Sequence, residues 1–176
     1  MRIITGQYKG RHFDIPRSFK ARPTTDFAKE NIFNVLTGYL DFDGAKALDL
    51  FSGTGSISLE LVSRGCSLVV SIEQDRDHHR FICDCMKKLG TQACLPLRAD
   101  VFRFLKSCKQ QFHFVFADPP YALKELSAIP DLVFERQVLE EGGIFVLEHG
   151  KDHDFSRHEH FVEHREYGSV NFSIFR

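Results

Sequence analysis

Five short apolar runs punctuate the chain, at residues 46–50, 67–72, 93–97, 112–117 and 144–147, and acids stand at or just beyond their ends. Asp49 lies inside the first; Glu73, Asp100, Asp118 and Glu148 follow the others. Runs of this length, with so little alternation, suit strands covered on both faces. Between them the apolar spacing becomes helical, over 56–64, from about 77 to 89, and over 101–108. Strand alternating with helix is the pattern of an α/β fold: a mostly parallel sheet with helices on both sides. Open sheets of that kind bind ligands beyond the carboxyl ends of their strands, where Asp49, Glu73, Asp100 and Asp118 stand, while Glu148 reads as the end of the fifth strand.

The two ends of the chain depart from the alternation. Residues 161–167 and 170–175 read as two strands joined at Gly168-Ser169, an antiparallel hairpin with no helix between. Residues 2–4 and 11–15 read as a small amino-terminal β-hairpin closed by Pro16. Thr24 or Thr25 is placed to cap a helix whose buried stripe is Ala28, Ile32, Val35, Leu36 and Tyr39. Pro130 suits the first turn of a helix reaching Leu139, and Gly142-Gly143 reads as a turn before the fifth strand. The organisation expected is an extension over 1–23 and one globular domain over 24–176.

Charge is uneven. Residues 1–30 hold seven Lys and Arg against three acids, a net of +4, so with −1 overall the remainder carries −5. A basic arm on an acidic domain suits a polyanionic partner, with Arg2, Lys9, Arg11, Arg22 and Lys29 as its contacts. No apolar run is long enough to span a bilayer, and residues 1–6 lack the apolar core of a signal peptide, so a cytoplasmic protein is expected. The five cysteines show no paired CxxC motifs and read as reduced packing residues. His149, His153, His158, His160 and His164 crowd the tail in no zinc-type spacing; they read as surface histidines, with no metal expected.

The chemistry gathers at the strand ends. Gly53 and Gly55, in Asp49-Leu50-Phe51-Ser52-Gly53-Thr54-Gly55, allow a ligand to approach the backbone at a helix start. A dinucleotide loop would carry a third glycine where Ser58 stands, and Asp49 would repel a pyrophosphate. The acid suits a cationic ligand instead. Glu73 is placed for ribose hydroxyls, and Asp100, beside Val101, for an adenine amino group. Together with Asp118 and Phe51 they fit an adenosine carrying a positive centre and an amino acid, which is S-adenosylmethionine. After the fourth strand, Asp118-Pro119-Pro120-Tyr121 makes a rigid corner, since neither proline can donate to a sheet. The Asp118 carboxylate and the Pro119 carbonyl can each accept one N–H of an exocyclic amine, turning its lone pair to a methyl donor. Tyr121 can stack on the base. Asp118, Pro119 and Tyr121 are thus the catalytic candidates.

These motifs, in this order, resemble class I S-adenosylmethionine-dependent methyltransferases acting on amino groups. The stretch Arg22-Pro23-Thr24-Thr25-Asp26, with Arg2-Ile3-Ile4-Thr5-Gly6, Gly10-Arg11 and Ile32-Phe33-Asn34-Val35-Leu36, is similar to the RsmD family. The resemblance covers nearly the whole chain. It implies a Rossmann-like fold with a seven-stranded sheet and the last hairpin at one edge. It implies transfer to N2 of a guanine in 16S ribosomal RNA; the net charge near zero suggests that a small-subunit ribonucleoprotein particle supplies the missing contacts, and a monomer is expected. It also implies that Arg22, Pro23 and Thr24 lie near the methionine part of the cofactor. Phe27 and Lys29 stand where that family commonly has arginine. On the residues alone the amine-holding corner also serves adenine N6; a protein glutamine amide is a further alternative, which an Asn in place of Asp118 would favour, and a non-catalytic RNA-binding module stays open.

Overall fold

The computed structural model describes residues 1–21 and 23–176. Its helices are α1 (Asp26–Leu36), α2 (Ser56–Ser63), α3 (Arg76–Leu89), α4 (Val101–Ser107) and α5 (Ile129–Glu135), with a 3-10 turn at Leu126–Ala128. Its strands are β1 (Lys46–Leu50), β2 (Leu68–Ile72), β3 (Cys94–Leu97), β4 (Phe112–Ala117), β5 (Leu139–His149), β6 (Phe161–Tyr167) and β7 (Val170–Phe175). They form one sheet in the order β3-β2-β1-β4-β5-β7-β6. The first five strands run parallel; β7 joins β5 antiparallel and pairs with β6 at the edge. The parallel sheet, the helices on both faces and the closing hairpin are thus as expected.

Side-chain alternation assigns the helices to faces. Ala47, Phe114, Phe116, Ile144 and Val146 face α1, α2 and α3. Leu48, Leu50, Val115, Ala117, Phe145 and Leu147 face α4 and α5. From β1 the chain moves outward to β2 and β3, then crosses back to β4 on the other side of β1. That reversal opens a crevice beyond the carboxyl ends of β1 and β4.

Several expected elements are different. The amino-terminal hairpin is reduced to one bridge, between Arg2 and His12. The Ile3, Gly10 and Phe13 amides donate across it, to the Arg11, Ile3 and Met1 carbonyls at 3.0, 2.9 and 2.9 Å, but beyond Ile3 the amides turn to α2: Ile4 and Thr5 donate to the Glu60 carboxylate at 2.9 and 3.0 Å, and Gln7 to the Ser63 carbonyl at 2.8 Å. Donors satisfied by a helix are not available to extend the ladder beyond Ile3. Gly6 makes the approach possible, for a Cβ there would sit 1.9 Å from the Ser63 carbonyl oxygen.

Helix α1 buries Ala28, Lys29, Ile32, Phe33 and Leu36, a stripe rotated from the one expected, because the arm covers Lys29 through the Arg2 carbonyl while Phe42 and the Arg64 guanidinium cover Phe33. Helix α5 ends at Glu135 rather than Leu139, since Leu139 pairs with Phe112 and opens β5. Gly142-Gly143 is not a turn; it lies inside β5, where the register with β4 slips between Phe112 and Phe114. Nor are the tail histidines all at the surface. His149 is buried on β5, with Nε2 2.8 Å from Ser173 Oγ and Nδ1 2.8 Å from the Gly150 carbonyl oxygen. His158 and His160 precede β6, so only His164 sits on that strand.

Candidate active site

Around the crevice lies a cavity of about 830 Å³, a size suited to a small molecule. Residues from the ends of β1, β2, β4 and β5, the loop after β3 and the segment before α1 line it. Among the described lining residues the only Lys or Arg is Lys20; the acids are Asp49, Glu73, Asp75, Asp100, Asp118 and Glu148.

The β1 loop is built to turn sharply. Ser52 donates its amide to the Ile72 carbonyl at 2.9 Å, and the Gly55 amide donates to the Ser52 carbonyl at 2.8 Å. Phe51 is held at φ 58°, which costs a residue with a side chain about 1–3 kcal/mol. Its ring is presented to the cavity beside Phe102, edge to face at 6.2 Å. Gly53 also lines the cavity, and its amide donates to Glu73 at 2.7 Å. The other Glu73 oxygen accepts from the Asp75 amide at 2.9 Å. One carboxylate therefore ties the loop after β1 to the loop after β2, with lone pairs left for hydroxyl donors. Asp100 caps α4 through the Arg103 amide at 3.0 Å, and Val101 lines the cavity beside it.

Asp49 is buried on the face toward α2, where Ser58 Oγ donates to it at 2.6 Å. Ser58, which replaces the third glycine of a dinucleotide loop, thus orients the acid. Burial still pushes Asp49 up to about 7. Asp118 follows Phe116 by two residues and so points to the same face as Asp49. The Asp118 amide continues the sheet, donating to the Leu50 carbonyl at 3.3 Å. Its carboxylate accepts no hydrogen bond from the described residues and opens to the cavity, and no described donor reaches the Pro119 carbonyl. Burial, then the charges of Glu148 and Asp49, hold the Asp118 carboxyl well above the usual range.

Glu148 is the site residue that sequence reasoning passed over as a strand terminator. It comes two residues after Val146, which pairs with Phe116, and therefore stands beside Asp118 on the same face. Thr24 Oγ1 donates to it at 2.9 Å and the Tyr121 hydroxyl at 3.1 Å. Burial raises its pKa and these two donors oppose the rise. The signal was present in its parity with Asp118, but the Thr24 contact spans 124 positions and leaves no local trace. Tyr121 is about half exposed, its ring lying along Gly150 at the cavity mouth. Burial and the neighbouring Glu148 raise its phenol well above the usual range.

Of the expected cofactor residues, Asp49, Phe51, Gly53, Glu73, Asp100, Val101 and Asp118 line one cavity with Pro119, Tyr121, Pro23 and Thr24. Gly55 stands behind the loop: its φ is 81° and a Cβ would lie 2.9 Å from Ile82 Cγ1, so it serves the packing of α2 on α3. Lys29 is corrected outright as a contact for a polyanion. It is 1% exposed, and its Nζ donates to the Arg2 carbonyl at 2.6 Å and to Ser56 Oγ at 3.0 Å, with Glu60 at 3.8 Å. Arg2 is half exposed and paired with Asp26 at 3.2 Å. Lys9 sits in the turn against the carboxyl end of α2, and Arg11 donates to the Lys88 carbonyl at the carboxyl end of α3. Those helix ends are remote from the cavity, which Ser56, Asp75 and His78 line at the opposite ends. Arg22 lies outside the described residues. Among the described residues no His, Cys, Asp or Glu cluster could hold a metal, and no helix is long and apolar enough to cross a membrane.

Comparison with known proteins agrees with this geometry. The family described as "Conserved hypothetical protein 95" matches residues 1–176. The Bacillus subtilis protein YlbH is 36% identical over 156 residues, 86% of this chain and 84% of that one. Ribosomal RNA small subunit methyltransferase D of Haemophilus influenzae is 33% identical over 160 residues, 86% and 80% of the two chains. The solved structure of a Thermus thermophilus protein, TTHA0928, superposes with a TM-score of 0.88 at 27% identity, covering 100% and 99%. A match over every residue and relatives that share a third of their sequence, beside a strand-end cavity holding the Asp-Pro-Pro-Tyr corner, place the chain in one family: it belongs to the RsmD family of methyltransferases.

Proposed function

We propose that this protein methylates the exocyclic N2 of a guanine in 16S ribosomal RNA, with S-adenosylmethionine as the methyl donor. One observation carries the reading. The Asp118 carboxylate and the Pro119 carbonyl are adjacent acceptors, unclaimed by the described residues, in the same cavity as the β1 loop. Two acceptors side by side suit the two hydrogens of one amine.

The cavity fits the cofactor by the chemistry of its donors. Asp49 and Glu148 are buried beside the half-buried Asp118, each is driven toward its neutral form, and no described ion pair neutralises them. Such a group of acids is relieved by a ligand that brings positive charge. Bound there, S-adenosylmethionine supplies an electrophilic methyl group on a cationic sulfur. Glu73 would hold the ribose hydroxyls, Asp100 and the Phe51 and Phe102 rings the adenine, and Asp49 the cationic end. Thr24 and Pro23 border that end.

The chain's own part in the reaction is positioning and electrostatics. Asp118 and Pro119 take the two N–H groups and leave the nitrogen lone pair directed into the cavity. When the new N–C bond forms, the amine sheds a proton, and Asp118, whose pKa burial has raised, accepts it and passes it to water. Tyr121 stacks on the base at the mouth. Lys20, and beyond it the exposed Arg2, Lys9 and Arg11, meet the phosphates. With a net charge of −1 the protein holds free RNA weakly, so the substrate is a ribonucleoprotein particle in the cytoplasm, met by a monomer.

The test is incubation with methyl-labelled cofactor and small-subunit particles or their RNA lacking the modification, then digestion to nucleosides. N2-methylguanosine is the expected product. N6-methyladenosine would overturn the choice of base, and no incorporation into either form of RNA would overturn the reading.

A further inference from the structure

We propose that Glu148 accepts the ring N–H beside the target amine and is the group that selects guanine. The inference rests on the reading that the amine is N2 of guanine. Its starting point is a surplus: Asp118 and Pro119 already suffice for an amine, yet a second buried carboxylate stands next to them on the neighbouring strand.

Glu148 is 5% exposed, and neither Lys nor Arg pairs with it among the described residues. Thr24 donates to Oε2 and Tyr121 to Oε1. A carboxylate offers about four lone-pair positions, so two hydroxyl donors hold it in place and leave acceptor capacity turned to the cavity. Those hydroxyls also favour its ionised form, whereas Asp118 has no such donors. Glu148 is therefore held as an acceptor before substrate arrives.

The RNA bases differ in what flanks the exocyclic amine. Guanine places a ring N–H, at N1, next to N2. Adenine and cytosine place a ring-nitrogen lone pair next to theirs. A buried carboxylate gains a charge-assisted hydrogen bond from the first and faces a lone pair in the others, leaving both acceptors unsatisfied. A site built to receive an N–H discriminates strongly against an analogue lacking it. Glu148 thereby supplies the choice of base that the Asp-Pro-Pro-Tyr corner cannot make.

The experiment uses synthetic RNA fragments, or particles reconstituted with them, carrying guanine or 2-aminopurine at the mapped target position. 2-Aminopurine keeps the 2-amine and has a lone pair at N1. Wild-type protein is expected to prefer guanine by about 100-fold or more in kcat/KM. In Glu148→Gln, which retains the shape and can turn an amide N–H toward a lone pair, the ratio is expected to fall to about 10 or less. Melting temperature and cofactor binding verify that the variant is folded. A wild-type ratio near 1, or an unchanged ratio in the variant, overturns the inference while leaving guanine methylation standing. Should the variant not fold, the wild-type ratio decides by itself. Wild-type protein that methylates no guanine substrate removes the functional reading, and this inference with it.

Discussion

Two groups of buried charge lie on the α1–α3 face of the sheet, and their wiring is opposite. Below the cavity, Glu60 receives the amides of Ile4 and Thr5, the Arg64 guanidinium at 3.1 Å and, at 3.8 Å, the ammonium of Lys29. Every donor there has an acceptor inside the protein. At the cavity, burial raises Asp49, Asp118 and Glu148, and the charges of Glu148 and Asp49 raise Asp118 further; hydroxyls hold Asp49 and Glu148, and no described Lys or Arg pairs with any of the three. The first group is finished by folding and clamps the amino-terminal arm to α2. The second is left incomplete, and it is completed by what binds. Ser56 borders both: its hydroxyl accepts from Lys29 while the residue lines the cavity. The sign of a buried charge thus says less about its role than whether the protein itself answers it.

The contrast breaks most visibly if the clamp is cut. Lys29→Ala should destabilise the protein by about 3–5 kcal/mol in denaturant unfolding, because it strips one partner from a buried pair. A loss below about 1 kcal/mol would mean that Arg64 alone balances Glu60. Asp118→Ala should do the reverse: turnover falls by about 10²–10³-fold or more, with cofactor affinity little changed and stability kept or improved. Methyl incorporation and calorimetry measure the two, and undiminished turnover would remove Asp118 from the reaction.

Smaller effects sharpen the same distinction. Glu73→Ala should weaken cofactor binding by about 1.5–3 kcal/mol, as loss of hydrogen bonds to a charged acceptor requires, and the change is read by titration calorimetry. Acidity provides a further probe. The folded value for Asp49 is raised to about 7 from an ordinary 3.8, so between these limits the folded state holds more protons than the unfolded one. Stability of the ligand-free protein should therefore decline as pH rises from about 4 to 7, then level off. Affinity for the cationic cofactor should increase over the same interval, as the ionised acid becomes available. Melting curves across pH with and without S-adenosylmethionine test both signs; a flat ligand-free profile would show that Asp49 is not strained. Smallest of all, Lys20→Ala should reduce the salt slope of RNA binding by about 1.

Much of this was legible along the chain because it depends on periods of two and on short loops. Phe114, Phe116 and Asp118 share a parity, as do Ala47 and Asp49, so the two acids had to reach one side of the sheet. The turn chemistry of Gly53 and the double proline is equally local. Lys29 was misjudged for an identifiable reason. Its spacing to Ile32, Phe33 and Leu36 places it on the buried stripe, yet a lysine beside an exposed position reads as surface until one knows what covers it. The cover is the amino-terminal segment, whose Arg2 carbonyl accepts from Lys29 across 27 positions, together with Glu60 on α2. The expected amino-terminal hairpin stays short for a related reason: beyond Ile3 its amides meet acceptors on α2.

The sequence by itself determined the layered sheet, the faces of its strands, and the row of acids and glycines at its carboxyl edge, because strand parity and turn geometry act over a few residues. Only the tertiary structure decided which charges are neutralised and which remain open. It buried Lys29 against Glu60, moved Gly55 from ligand contact to helix packing, and brought Thr24 and Tyr121 to Glu148. Those outcomes depend on which distant segments exclude water from a charge and which donors arrive with them.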